Sequence, residues 1–328
     1  MMRALVRMAA AVALFLPGML DAQPSPGIAY DEVVRVVIAV SPPPAGNFAA
    51  DLTAASQATP LPASRRRGGL AAIAGVLLGS RESAGSAQAD RILSAGAAGF
   101  ATLFRTLEGG RTERHAFYNG WERIDDPIAQ IATIRKCDLD QVIRLDLRRR
   151  TYRIYPPGAE PAEVPPPEPG TPGSAAGSAR ITVSVLPPAS LEGEDARGYD
   201  EHAEFTLSEV NGGCRAGSQA FDTRTYYGRL AAARSVCPLT PEREPYPEQA
   251  INIVASAGCR PHVLAQKSGP LAPAGRLVLY RALSWIPEAS TGPAPGGYTF
   301  LTERGNLRTL GAGDAGLFSV PADFVRAP

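Results

Sequence analysis

The chain has 328 residues, with 33 Lys and Arg against 32 Asp and Glu, a formal charge of +1. That even balance of scattered arginines carries no footprint for nucleic acid, which selects clustered basic surface. The length is ample to bury a core as one large domain or two small ones.

Residues 1–22 read as a cleavable secretory leader. Arg3 and Arg7 form a positive start, Met8 to Leu16 are uninterruptedly apolar, and Pro17-Gly18 break the run before Leu20-Asp21-Ala22. Nine apolar residues are too few for a bilayer, which takes roughly 17–25 in a helix, so the pattern is an export signal rather than an anchor. Cleavage is expected between Ala22 and Gln23, leaving residues 23–328 with no formal net charge, in the periplasm or secreted. The longest later apolar run, Leu70 to Leu78, is equally short, so the mature chain is expected not to span a membrane.

Glu32 to Val40 is a β-branched run with Val34, Val36, Ile38 and Val40 on one face, which predicts a strand ended by Ser41-Pro42-Pro43-Pro44. An Ala-rich block follows. It predicts a short helix after Ser64, ended by Gly79, and a longer one from about Ser86 to Leu107, stopped by Gly109-Gly110. From Thr112 the period becomes two. Tyr118-Asn119-Gly120-Trp121 predicts a two-residue hairpin, and strands are expected at 130–136, 141–147 and 151–155, with Arg148-Arg149-Arg150 as a solvated turn. Residues 156–179 are rich in Pro, Gly, Ser and Ala and read as a disordered loop or linker. Strands resume at 181–186, 202–210, 221–227, 251–255, 277–285 and 298–302, and Arg304-Gly305-Asn306 is expected to turn the chain.

No catalytic constellation emerges, and no catalytic, cofactor-binding or metal-binding residue is assigned. The histidines are His115, His202 and His262, none spaced for a helical pair, and His115 reads as a structurally satisfied residue beside Phe117 and Ile124. Gly311-Ala312-Gly313-Asp314-Ala315-Gly316 fits G-x-G-x-x-G formally, but only twelve residues follow, too few for a dinucleotide fold. It reads as a glycine-rich turn. Asp125-Asp126 and Asp138-Leu139-Asp140 read as turn residues rather than calcium ligands. Four cysteines, Cys137, Cys214, Cys237 and Cys259, make disulfides the default in an exported chain. Three pairings are possible. Cys214–Cys237 is favoured because both flank turn-rich strand ends, and it would contribute on the order of 3 kcal/mol. Cys259-Arg260-Pro261-His262 is an isolated half of a zinc pattern.

Three stretches together carry a family resemblance: Ile143 to Tyr152, a strand ending Asp-Leu before a basic turn and Thr-Tyr; Tyr118 to Arg123 upstream; and the ending Leu317 to Phe324. In this order they resemble uncharacterised periplasmic proteins related to the lipoprotein carrier LolA. The resemblance implies an α+β, mainly antiparallel fold: a curved sheet forming an unclosed half-barrel, two helices covering its concave side, and one domain over 23–328. It also implies a non-enzymatic role with a lipid, an acyl chain or an acylated protein as partner, and no cofactor. The alternatives are an envelope structural protein with a filled core and, more weakly, a hydrolase with an unrecognised site.

Overall fold

Turn chemistry sets the first meander. Asn119 and Gly120 both take positive φ, 52° and 78°, as the expected two-residue hairpin requires. They join β2 (Arg111–Tyr118) to β3 (Trp121–Asp126), with Tyr118 opposite Trp121. Asp126 then caps the next turn, its Oδ1 accepting from the N–H groups of Ile128 and Ala129 at 3.0 and 2.8 Å. β4 (Ile131–Lys136), β5 (Gln141–Asp146) and β6 (Thr151–Tyr155) follow close to the expected bounds. The Arg148–Arg150 connection is exposed, and Asp146 Oδ1 accepts the Arg149 N–H at 2.8 Å.

The computed structural model describes residues 27–38, 41–57, 110–156, 173–212, 214, 216–232, 259–286 and 298–327. The leader, both expected helices of the Ala-rich block and the strand expected at 251–255 lie outside these. The remaining strands are β1 (Gly27–Ile38), β7 (Gly173–Leu191), β8 (Glu194–Ser208), β9 (Gly217–Ala231), β10 (Cys259–Ser268), β11 (Arg276–Ile286), β12 (Tyr298–Leu310) and β13 (Val325–Arg326).

All thirteen strands join one sheet in the order β10-β7-β8-β9-β11-β12-β1-β2-β3-β4-β5-β6-β13. Its two ends do not meet, so the sheet is large and unclosed. It is antiparallel except at its edges, where β10 runs parallel to β7 and β13 parallel to β6. β1 is the seam, pairing with β12 on one side and β2 on the other. Strands from before and after the Pro-rich segment therefore share one ladder.

Two boundaries differ from the sequence reading. Gly173–Ala179, assigned to the linker, is the start of β7, because small residues there let β8 and β10 approach from both sides. Arg304-Gly305-Asn306 is not a turn but a β-bulge within β12. Asp31 pairs with Gly305 and Ala29 with Arg308, so Tyr30 faces two residues, and Asn306 absorbs the kink at φ 53°.

One short helix, α1 (Phe48–Ser56), was not anticipated. Its buried positions Phe48, Asp51 and Ala55 fall three and four apart and pack on the Val33 side of β1. Gly305 makes that fit possible: a Cβ there would lie 2.4 Å from two Phe48 ring carbons. At the other end, the 3-10 helix Ala312–Phe318 seals a core of Ala116, Ala132, Ile134, Ile143, Leu145 and Leu310 with the Phe318 ring. A third apolar group spans the opposite wing, with Ile181, Val183, Phe205, Leu207, Phe221 and Leu283 at its centre.

Cys214 is buried and disulfide-bonded. Asn211, just before it, locks onto Ser174 through three hydrogen bonds, and the Cys259 backbone pairs with Gly173. Both cysteines therefore flank one end of β7. Cys237 follows the far end of β9, whose 15 residues extend about 45 Å at a strand's rise, while the six residues from Ala231 to Cys237 recover at most about 21 Å. Peptide mapping under non-reducing conditions is expected to return a Cys214–Cys259 linkage, and recovery of Cys214–Cys237 would contradict that register argument.

Candidate functional site

Alternation along a strand puts Tyr30, Glu32, Val34 and Val36 on one face of β1, and the register extends that face across its neighbours. Glu32 stands opposite Glu113 of β2 and Arg304 of β12, and Tyr30 stands opposite His115. A row of ionisable groups is thus buried at the middle of the sheet: Glu32 is 3% exposed, Arg304 4% and His115 8%.

Each carboxylate divides its two oxygens. Glu32 Oε2 accepts from Arg304 Nε at 2.7 Å, while its Oε1 lies 3.8 Å from His115 Nε2. Glu113 Oε1 lies 3.2 Å from Arg111 Nη2, itself anchored on Asp126 at 2.7 Å, while Oε2 lies 3.4 Å from His115 Nε2. The His115 ring stacks on Tyr30 with centroids 5.1 Å apart, and the Arg304 guanidinium lies over the same Tyr30 ring. His115 Nε2 is buried between the two carboxylates, the Glu113 contact being the closer. Burial opposes ionisation of Glu113, but His115, Arg111 and Arg135 outweigh it and hold its carboxyl down to about 2. Burial likewise opposes charge on His115, and the Glu113 and Glu32 carboxylates overcome it, raising the imidazole above its ordinary value. Among the described residues, Glu32, Glu113 and His115 bring one donor atom each within 4.8 Å of one another, close enough that they could hold a metal ion.

A second buried group lies on the Val33 face. Asp51 of α1 meets Arg35 of β1, Nη2 to Oδ2 at 2.9 Å, and shares a hydrogen bond with Glu303 of β12. Two carboxyls that close cannot both ionise. Burial first, then the hydrogen bond and charge of Asp51, push Glu303 up to about 8. Tyr280 of β11 borders the group and donates its OH to Pro43 O, tying the segment before α1 to the sheet.

The Glu303 shift has a signed consequence. The folded state holds its proton up to about pH 8, whereas the unfolded chain releases it near 4.5. Between those values folding takes up a proton, so stability falls as pH rises through the window and levels off above it. Glu303→Gln keeps a neutral amide in the carboxyl's place. It is expected to flatten this decline and to raise the urea midpoint above that of the wild type at pH 8, with little difference at pH 5. Equal pH slopes for the two proteins would contradict the shared proton.

The sequence-level candidates distribute differently. His115, expected as a structural histidine, stacks on Tyr30, pairs with Glu113 and lies at the centre of the first group. His202 is a surface residue on β8, its Nδ1 2.6 Å from Asp222 and Nε2 3.5 Å from Glu204, and His262 is exposed on edge strand β10. Asp125, Asp126 and Asp138 serve local structure, Asp138 accepting from Trp121 Nε1 at 2.8 Å. The glycine-rich stretch 311–316 forms the 3-10 turn, where Asp314 Oδ2 accepts the Gly311 N–H. Sequence reading missed Glu32, Glu113, Arg304 and Glu303. The signals were present as Glu113-Arg114-His115, whose alternate residues share a strand face, and as charges inside otherwise apolar strands. Comparison of the chain with protein-family models, with curated proteins and with solved structures finds no match. No helix among the described residues is long and apolar enough to cross a membrane.

Proposed function

We propose that this chain is an exported, non-enzymatic binding protein of the bacterial envelope whose open sheet holds an apolar ligand, an acyl chain or lipid. The observation that carries the reading is the apolar wing. On one face of β7, β8, β9, β11 and β1, the side chains of Ala179, Ile181, Phe205, Phe221, Leu283 and Val36 form one continuous cluster, and the sheet bearing it is not closed. An unclosed sheet with one apolar face suits a chain-like guest, since ligand sites are concave and mostly apolar with few polar groups. The leader-like residues 1–22 supply the export part of the reading.

Protein purified natively from its own envelope and extracted with organic solvent is expected to release a stoichiometric acyl lipid by mass spectrometry, and its N-terminal sequence is expected to begin at Gln23. Empty extracts, together with no binding of a fluorescent fatty acid, would overturn the ligand reading. A retained Met8–Leu16 segment would overturn export. A second reading, an envelope structural protein with a filled core, is favoured by one fact: every residue at the centre of that wing is at most 8% exposed.

A further inference from the structure

We propose that Glu32, Glu113 and His115 form a binding site for one divalent first-row transition ion, of the zinc or manganese kind. The inference does not rest on the lipid reading. Its three donor atoms, one from each side chain, lie within 4.8 Å of one another. The His115 Nε2 separation of 3.4 Å to Glu113 Oε2 lies within, and that of 3.8 Å to Glu32 Oε1 just above, the roughly 3.3–3.6 Å between tetrahedral ligands held about 2.0–2.2 Å from an ion.

Three independent features point to an occupant. First, the His115 side chain is 9% exposed, and its Nε2 faces both carboxylates without an aligned hydrogen bond. A buried ring nitrogen set between carboxylate oxygens 3.4 and 3.8 Å away is oriented as a ligand is. Second, the outer partners of a metal site are in place. Arg304 holds Glu32 Oε2 and Arg111 holds Glu113 Oε1, so each carboxylate turns its other oxygen inward, as outer-shell donors do for ligating groups. Third, the frame is rigid. Glu32 and Glu113 are directly paired across the central β1–β2 ladder, and the His115 ring lies against both Tyr30 and Phe117 in a three-ring aromatic cluster. One imidazole with two carboxylates suits zinc or manganese better than calcium or magnesium, which favour all-oxygen shells. Three protein ligands leave a fourth position for water or a small anion. Glu113, at 28% side-chain exposure, is the ligand nearest solvent and marks the entry.

The test uses the full chain, stripped with EDTA and desalted. Zinc alone is titrated in competition with a chromophoric chelator at pH 7.5. One equivalent is expected to bind, and Glu113→Gln and His115→Gln are each expected to weaken it by more than roughly 100-fold, beyond what outer-shell changes cost. Circular dichroism checks folding of both variants. Glu113→Gln, at a partly exposed position, keeps the test decisive if His115→Gln fails to fold. Cobalt substituted for zinc is expected to give visible absorption bands that vanish in Glu113→Gln. The exposed His202, flanked by Asp222 and Glu204, is the competing surface site, and His202→Gln is expected to leave the equivalent intact. No binding by the wild type, or binding lost in His202→Gln but kept in Glu113→Gln, would overturn the proposal.

Discussion

Arg304→Leu is expected to cost about 3–5 kcal/mol of folding stability, the usual penalty for breaking a buried ion pair from one side. Arg304 is 4% exposed and Glu32 3%, and they meet at 2.7 Å on the central pair of strands. Removing the guanidinium leaves the Glu32 carboxylate buried with His115 as its remaining basic neighbour among the described residues, and it removes a donor to Val278 O. The loss should appear in the urea midpoint without a change of slope. The double variant Glu32→Leu with Arg304→Leu discriminates the cause. Taking out both charges removes the desolvation problem along with the attraction, so more than half of the loss is expected to return. A double variant as unstable as the single one would show that the cost lies in packing against Tyr30 instead.

The strands that were legible in the sequence are those whose pattern is local. The hairpin at Asn119-Gly120 needs two residues of positive φ, and Asn and Gly are the cheapest pair to supply them. β4 to β6 are short alternating runs bounded by Asp and Arg turns, and they appear within a residue of expectation. The unclosed, mainly antiparallel sheet was expected only through the family resemblance, since a count of strand-like segments does not show whether a sheet closes. What sequence could not show is pairing at a distance. Arg304-Gly305-Asn306 has turn composition and so hides the second half of β12, but a bulge uses the same residues for the same reason: Asn306 can take positive φ. The start of β7 is hidden likewise, because Gly, Ser and Ala look like linker until two neighbouring strands are known to flank them.

The candidate site was illegible for a related reason. Its members come from residues 32, 113, 115 and 304, and only the β12-β1-β2 order makes them neighbours. Read locally, Glu32 opens a strand, Arg304 starts a turn and His115 sits beside aromatics. Each has a bland explanation alone, and burial in one row is what makes them costly together. α1 escaped for another reason: it is nine residues long and has no side-chain cap, so it depends on Phe48 seating over Gly305 rather than on propensity.

Phe318→Ala is the other substitution with a large expected effect, about 3–5 kcal/mol. The ring is 0% exposed and lies 6.4 Å from Tyr118 and 6.1 Å from Trp121, centroid to centroid, in the core closed by Ile134, Leu145 and Leu310. It is also the main apolar anchor of the segment from Gly311 to Arg326. Leu317, Val320 and Phe324 pack only partly buried against the same core, Arg123 Nη1 donates to Leu317 O at 2.6 Å, and β13 pairs over only two residues with β6. Truncating the ring should therefore both open a cavity and release this segment. Trp121 emission is expected to shift to the red, and hydrogen exchange is expected to accelerate in β6, which loses its neighbour at the sheet's edge. Arg150→Ala provides the contrast. Its ion pair with Asp323 touches the same segment at 3.3 Å, but the partners are 69% and 55% exposed, so its removal is expected to cost less than about 1 kcal/mol. If Arg150→Ala loosened β6 as much as Phe318→Ala, the edge would be held by charge rather than by the buried ring.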